Sequence, residues 1–153
     1  MSPRNCSGGR RQAGGFSLIE VMIAILILGF GLLGFALLQT MNVRYVQSAN
    51  YRTQATNLSY ELLDQIRINR VAADTFVGSY TATTTNCNPP TGKDISKDSF
   101  MSDWKCRLGK ALGENATATV ASNNGVVTVN VTWGDERWNE SAADTTFTAR
   151  TRL

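Results

Sequence analysis

Glu20 is the residue whose setting most demands chemistry. From Val21 to Leu38 the chain has no charged and no polar side chain, and Phe16, Leu18 and Ile19 extend the apolar reach past the glutamate. As a helix these eighteen residues rise about 27 Å, against a bilayer core of roughly 30 Å. Lipid offers no partners to backbone groups, so such a segment must be helical. An acid at its mouth costs on the order of a few kcal/mol unless paired or protonated. No lysine or arginine lies between Gly15 and Gln39. The partner must come from outside this segment, or be a newly made N-terminus.

Other reactive patterns are sparse. The chain has no histidine. That removes Ser-His-Asp and Cys-His catalysis, histidine-ligated zinc and histidine pH switching. Gly29-Phe30-Gly31-Leu32-Leu33-Gly34 matches G-x-G-x-x-G, but it lies wholly inside the apolar run and lacks the acid about 20 residues on that a dinucleotide site requires. Asn57, Asn115, Asn130 and Asn139 begin Asn-x-Ser/Thr matches of the kind an Asn- and Thr-rich chain produces by chance. Asp94, Asp98 and Asp103 are spread over a polar stretch and read as solvating and capping groups. No residues converge on a catalytic centre or a metal site, and no cofactor is expected.

The 153 residues allow one ordinary domain. The formal charge of +3 comes from 15 basic and 12 acidic side chains. Arg4, Arg10 and Arg11 account for the whole excess, so the remainder is neutral and gives no reason to expect a nucleic-acid surface. Those arginines stand before the apolar run. By the positive-inside rule that end stays cytoplasmic and residues after about 40 are exported. No A-x-A-like site follows Leu38, so the apolar segment is expected to be retained.

Gly14-Gly15-Phe16-Ser17-Leu18-Ile19-Glu20-Val21 resembles the type IV prepilin signal: a short basic leader, a glycine, a phenylalanine, a glutamate four residues later, then the apolar run. The resemblance implies that a prepilin peptidase cuts between Gly15 and Phe16 and methylates the new amino group of Phe16. It also implies that Glu20 pairs with the Phe16 ammonium of a neighbouring subunit. Gly31-Leu32-Leu33-Gly34, Leu38-Gln39 and the run Ala55–Arg70 are similar to one group of minor pilins, the pilus modification proteins. Leu37 stands where many major pilins carry a kinking proline, which leaves Gly29, Gly31 and Gly34 to bend or melt the span. Implied partners are other major and minor pilins through the N-terminal helix, an inner-membrane assembly platform and inner-membrane lipid.

Residues 39–70 contain no Gly or Pro, and Tyr51, Ala55, Leu58, Leu62 and Ile66 form an apolar stripe. One helix is therefore expected from about Phe16 to about Asn69, roughly 80 Å long. Opposite the stripe, Asp64 and Arg67 can pair weakly. Residues 71–97 read as loop. A second helix is expected over Asp98–Leu112, with Phe100, Trp104, Leu108 and Leu112 on one side, Asp98 as cap and Gly113 as stop. Then come a strand at Thr117–Ala121, a hairpin turn at Asn123-Asn124-Gly125, a strand at Val127–Trp133, and one at Thr145–Arg152 with Phe147 and Ala149 inward. Trp133 and Trp138 read as core or edge residues. Cys6 leaves with the leader. Cys87 and Cys106 are an even pair that an oxidising periplasm would allow to form a disulfide.

The expected fold class is α+β: a long N-terminal helix, transmembrane in its first half, packed on a small antiparallel sheet. The expected parts are a leader at 1–15, a membrane and assembly helix at 16–39, an amphipathic continuation at 40–70 and a periplasmic head at 71–153. The expected location is the inner membrane, single-pass, and then the pilus fibre. A minor pilin is the first reading. A type II secretion pseudopilin shares the same first half and is the runner-up. A membrane-anchored enzyme and a DNA-uptake receptor are disfavoured, by the missing catalytic cluster and the neutral mature chain respectively.

Overall fold

The computed structural model describes residues 15–85, 87, 96–135 and 142–153. Residues 1–14 of the leader, with Cys6, the Asp94 region, Trp138 and Asn139 lie outside them. Helix α1 spans Leu18–Ile68, strand β1 Gly78–Thr81, helix α2 Lys97–Leu112, and strands β2, β3 and β4 span Thr117–Asn123, Val126–Trp133 and Thr145–Arg152. The chain divides into two compact units, residues 1–42 and 43–153. The fold is α+β, a long helix with an antiparallel sheet in the order β1-β2-β3-β4.

In the C-terminal unit the stripe on α1 is core. Ala55, Leu58, Leu62 and Ile66 are buried, with Ser59 and Leu63 widening the stripe, while Tyr51 is half-buried. The Ser59 hydroxyl is satisfied locally, donating to the Ala55 carbonyl at 2.7 Å. Trp104, Leu108 and Leu112 of α2 join the same core, and Phe100 packs at its margin while Met101 is buried. Alternation on β3 puts Val127, Val129, Val131 and Trp133 inside. On β4 Ala149 is buried and Phe147 half-buried, as the alternation requires.

Two expectations are corrected. Residues 71–97 are not all loop: a 3₁₀-helix occupies Arg70–Phe76 and β1 follows. Phe76 is 1% exposed and anchors this segment in the core. The Tyr80 hydroxyl donates to the Phe76 carbonyl at 2.7 Å, and burial pushes the Tyr80 phenol pKa upward. Gly78, at φ 152°, supplies a backbone conformation that side chains disfavour. The cap of α2 is Ser96 rather than Asp98. Its hydroxyl accepts from the Ser99 amide at 3.3 Å, the N-cap-to-N3 geometry that Asp98, already inside the first turn, does not offer. Asp98 instead places negative charge at the positive end of the helix dipole.

The β2–β3 turn is Asn124-Gly125, with φ of 49° and 74°. Two successive positive φ values make the tight connection whose twist matches the strands. The outward face of the sheet then falls into rows. Thr81, Thr117, Thr132 and Thr146 are successive cross-strand partners, as are Ser79, Thr119, Asn130 and Thr148.

Gly109 is buried on α2, and a Cβ there would run into the Thr83 carbonyl. The Thr83 amide donates to the Lys105 carbonyl at 3.2 Å, so the chain leaving β1 lies directly against the helix. Gly109→Ala would add about 1 kcal/mol of helix propensity, but the backbone it meets cannot rotate aside. Net destabilisation of roughly 1–3 kcal/mol is expected from overpacking, read as a lower denaturation midpoint. A variant at least as stable as the parent would show that the crossing is loose.

Candidate assembly site

Gly15, Phe16 and Ser17 precede the helix and are exposed, Phe16 at 83%. The Ser17 carbonyl accepts from the Glu20 amide at 3.0 Å and the Val21 amide at 3.3 Å, which starts α1. Glu20 is the acid of the first turn, where the helix dipole favours negative charge. Phe16, just before the helix, and Glu20, in its first turn, border a shallow groove with Val21, Ala24, Ile25 and Leu28. The groove is thus an apolar surface with one carboxylate at its mouth.

Among the described residues of this unit there is no lysine or arginine; the next charged residue after Glu20 in sequence is Arg44. The helix is long and apolar enough to cross a membrane. Gly29, Gly31 and Gly34 all lie within it, and a methyl group added at any of the three would meet nothing within 4 Å. They therefore form no phosphate-binding loop, which needs a strand-to-helix turn.

The polar groups of the C-terminal unit serve as ties between elements. Arg107 on α2 grips both oxygens of Glu61 on α1 at 2.6 Å, and its Nε donates to Asp103 at 2.7 Å. The Glu61 hydrogen bonds, opposed by burial and helped by Asp103, raise the Arg107 pKa still further above its ordinary range. Asp103–Arg107 is a legible four-residue pair; Glu61 lies far off in sequence, and no local spacing announces it. Asp64 pairs with Arg67 at 2.8 Å on the exposed surface, and Arg67 Nε reaches the Thr151 hydroxyl at 3.0 Å. Asp135 accepts from the Ser48 hydroxyl at 2.7 Å and lies 3.6 Å from Arg52. Among the described residues no cluster of His, Cys, Asp or Glu could hold a metal.

Cys87 and Cys106 are joined as a disulfide, Cα atoms 5.5 Å apart and 19 positions apart in sequence. It fastens the segment after β1 to the buried side of α2, beside the Thr83–Gly109 crossing. In the chain-entropy account a ring of that size stabilises by roughly 3 kcal/mol.

The first unit is an apolar helix of membrane-crossing length headed by a lone acid, and the second is a small α+β unit with its own core. A family model described as the prokaryotic N-terminal methylation motif matches residues 10–36. That motif indicates a type IV pilin-like prepilin, of a pilus or pseudopilus, and implies processing by a prepilin peptidase in the context of filament assembly. No curated protein and no solved structure matches the chain.

Proposed function

We propose that this chain is a minor pilin of the type IV pilus, of the PilV type, contributing to pilus assembly or priming and to surface functions such as adhesion or twitching motility. The observation that carries the reading is Glu20: a single acid, four residues beyond Phe16, opening a helix that is otherwise apolar to Leu38. In this reading Gly15–Phe16 is the cleaved bond, Phe16 is N-methylated, and residues 16–39 wait in the inner membrane. The N-terminus is cytoplasmic and residues 40–153 are periplasmic, where Cys87 and Cys106 pair. Subunits then leave lipid and bury their apolar helices against one another. A buried carboxylate is tolerable only where it meets the ammonium of an adjacent subunit, so misaligned docking is penalised.

The exposed, non-helical placement of Gly15 to Ser17 supports access for a peptidase. The Leu62-to-Arg70 helix end supports the minor pilin over the secretion pseudopilin. Mass spectrometry of the N-terminus in membrane and sheared-filament fractions tests the proposal. The expected species begins at a methylated Phe16 in both fractions. A chain beginning at Met1 overturns it, and a processed chain confined to a secretion pseudopilus transfers it to the runner-up.

A further inference from the structure

None of the four strands contains an acidic residue. On their outward face the polar side chains hold one another in place. Asn130 donates to Thr119 at 3.3 Å and accepts from Thr148 at 2.8 Å, and Thr132 lies 2.9 Å from Thr146. Rows repeat about every 7 Å along the strands, and neighbouring strands stand about 4.8 Å apart. The result is a fixed array of hydroxyls and one amide. Farther along β4, Arg150 and Arg152 are exposed on the same face, opposite Thr128 and Val126. No acidic side chain pairs with either guanidinium among the described residues.

We propose that this face binds an acidic polysaccharide. Sugar hydroxyls meet the Thr119, Asn130, Thr132 and Thr148 side chains, and carboxylates or sulfates of the same polymer meet Arg150 and Arg152. Guanidinium groups engage such planar or multi-oxygen anions through paired hydrogen bonds. The composition disfavours other occupants. Protein interfaces centre on aromatic and other apolar side chains, and the only large apolar group outward on β3 is Val126, half-buried at the turn end. Single-stranded nucleic acid binds by stacking on aromatic rings, which these rows lack. A duplex would find two arginines where tight binding takes many phosphate contacts. A repeating polymer suits weak, evenly spaced contacts, because a second engagement on one chain is intramolecular.

The inference deepens the reading of a pilus surface protein by naming the partner's chemistry, but its test needs only the folded chain. Full-length protein in detergent micelles is passed over immobilised heparin, polygalacturonate, dextran and duplex DNA. Retention on the two acidic polysaccharides is expected, lost as salt rises, with none on dextran. Arg150→Gln with Arg152→Gln should weaken it at least about tenfold, and Thr132→Val with Thr148→Val about threefold, at an unchanged melting temperature. The single Arg150→Gln variant reads the charge effect should the pair perturb folding. The proposal is overturned if the parent is not retained, if dextran or DNA retains it as well as the acidic polysaccharides, or if the valine pair binds like the parent. N-terminal processing is measured separately: an unprocessed chain that binds keeps the glycan face and loses the pilin, and a processed chain that does not bind does the reverse.

Discussion

Replacing Trp104 with alanine should lower the unfolding free energy of the C-terminal unit by about 3–5 kcal/mol. The indole is fully buried, and its Nε1 donates to the Leu58 carbonyl at 3.0 Å. One side chain therefore fills the space where α2 meets α1 and fixes their register with a directional bond. Truncation removes the apolar burial, leaves a cavity that helices held by the sheet and the Cys87–Cys106 link cannot readily close, and deletes the bond. Small domains carry only about 5–15 kcal/mol in all, so the variant should be marginal. Trp104→Phe separates the contributions. It keeps most of the ring and loses the donor, worth about 0.5–1.5 kcal/mol net, so it should fall between parent and alanine. Equilibrium denaturation of the full chain in mild detergent, followed by circular dichroism, reads both. An alanine variant within about 1 kcal/mol of the parent would mean that the α1–α2 contact is not where the stability resides.

The core that such an experiment probes is legible wherever a period is. Ala55, Leu58, Leu62 and Ile66 repeat at helical spacing, and all four are buried. Val127 to Trp133 alternates, and every second residue faces in. Asn124-Gly125 announces its turn because few other pairs tolerate two positive φ values. What the sequence does not disclose lacks a local cause. β1 is four residues, Gly-Ser-Tyr-Thr, with one half-buried side chain; it is a strand because β2 is there to pair with it. Gly109 sits within a helical pattern, where a glycine is merely tolerated, and its purpose emerges only when Thr83 crosses above it. Glu61 looks like one more solvated acid until Arg107 arrives from α2.

Glu20 is the opposite case, legible because its surroundings leave it no local answer. A carboxylate beside an apolar helix is expensive whatever the fold, so sequence alone demands a partner without supplying one. The 43–153 unit carries a core of its own.

The largest functional effect is therefore expected from Glu20. If the proposed pairing with a neighbour's Phe16 ammonium operates, Glu20→Ala leaves that ammonium unpaired in an apolar interior. Breaking one side of a buried ion pair costs about 3–5 kcal/mol, more than a hundredfold in an equilibrium at 1.4 kcal/mol per tenfold. The variant should accumulate in the membrane and nearly vanish from sheared filaments. Glu20→Gln tests whether charge or hydrogen bonding matters: it keeps an acceptor of nearly the same shape but no charge, and should assemble almost as poorly as alanine. Glu20→Asp keeps the charge on a shorter arm and should recover part of the loss. Cleavage at Gly15–Phe16 should persist in all three, which separates assembly from processing. The 43–153 unit should melt as in the parent, because none of its core contacts involves residue 20. Filament incorporation of the alanine variant at parental levels would remove the ion pair from the mechanism and leave apolar packing alone to set the register.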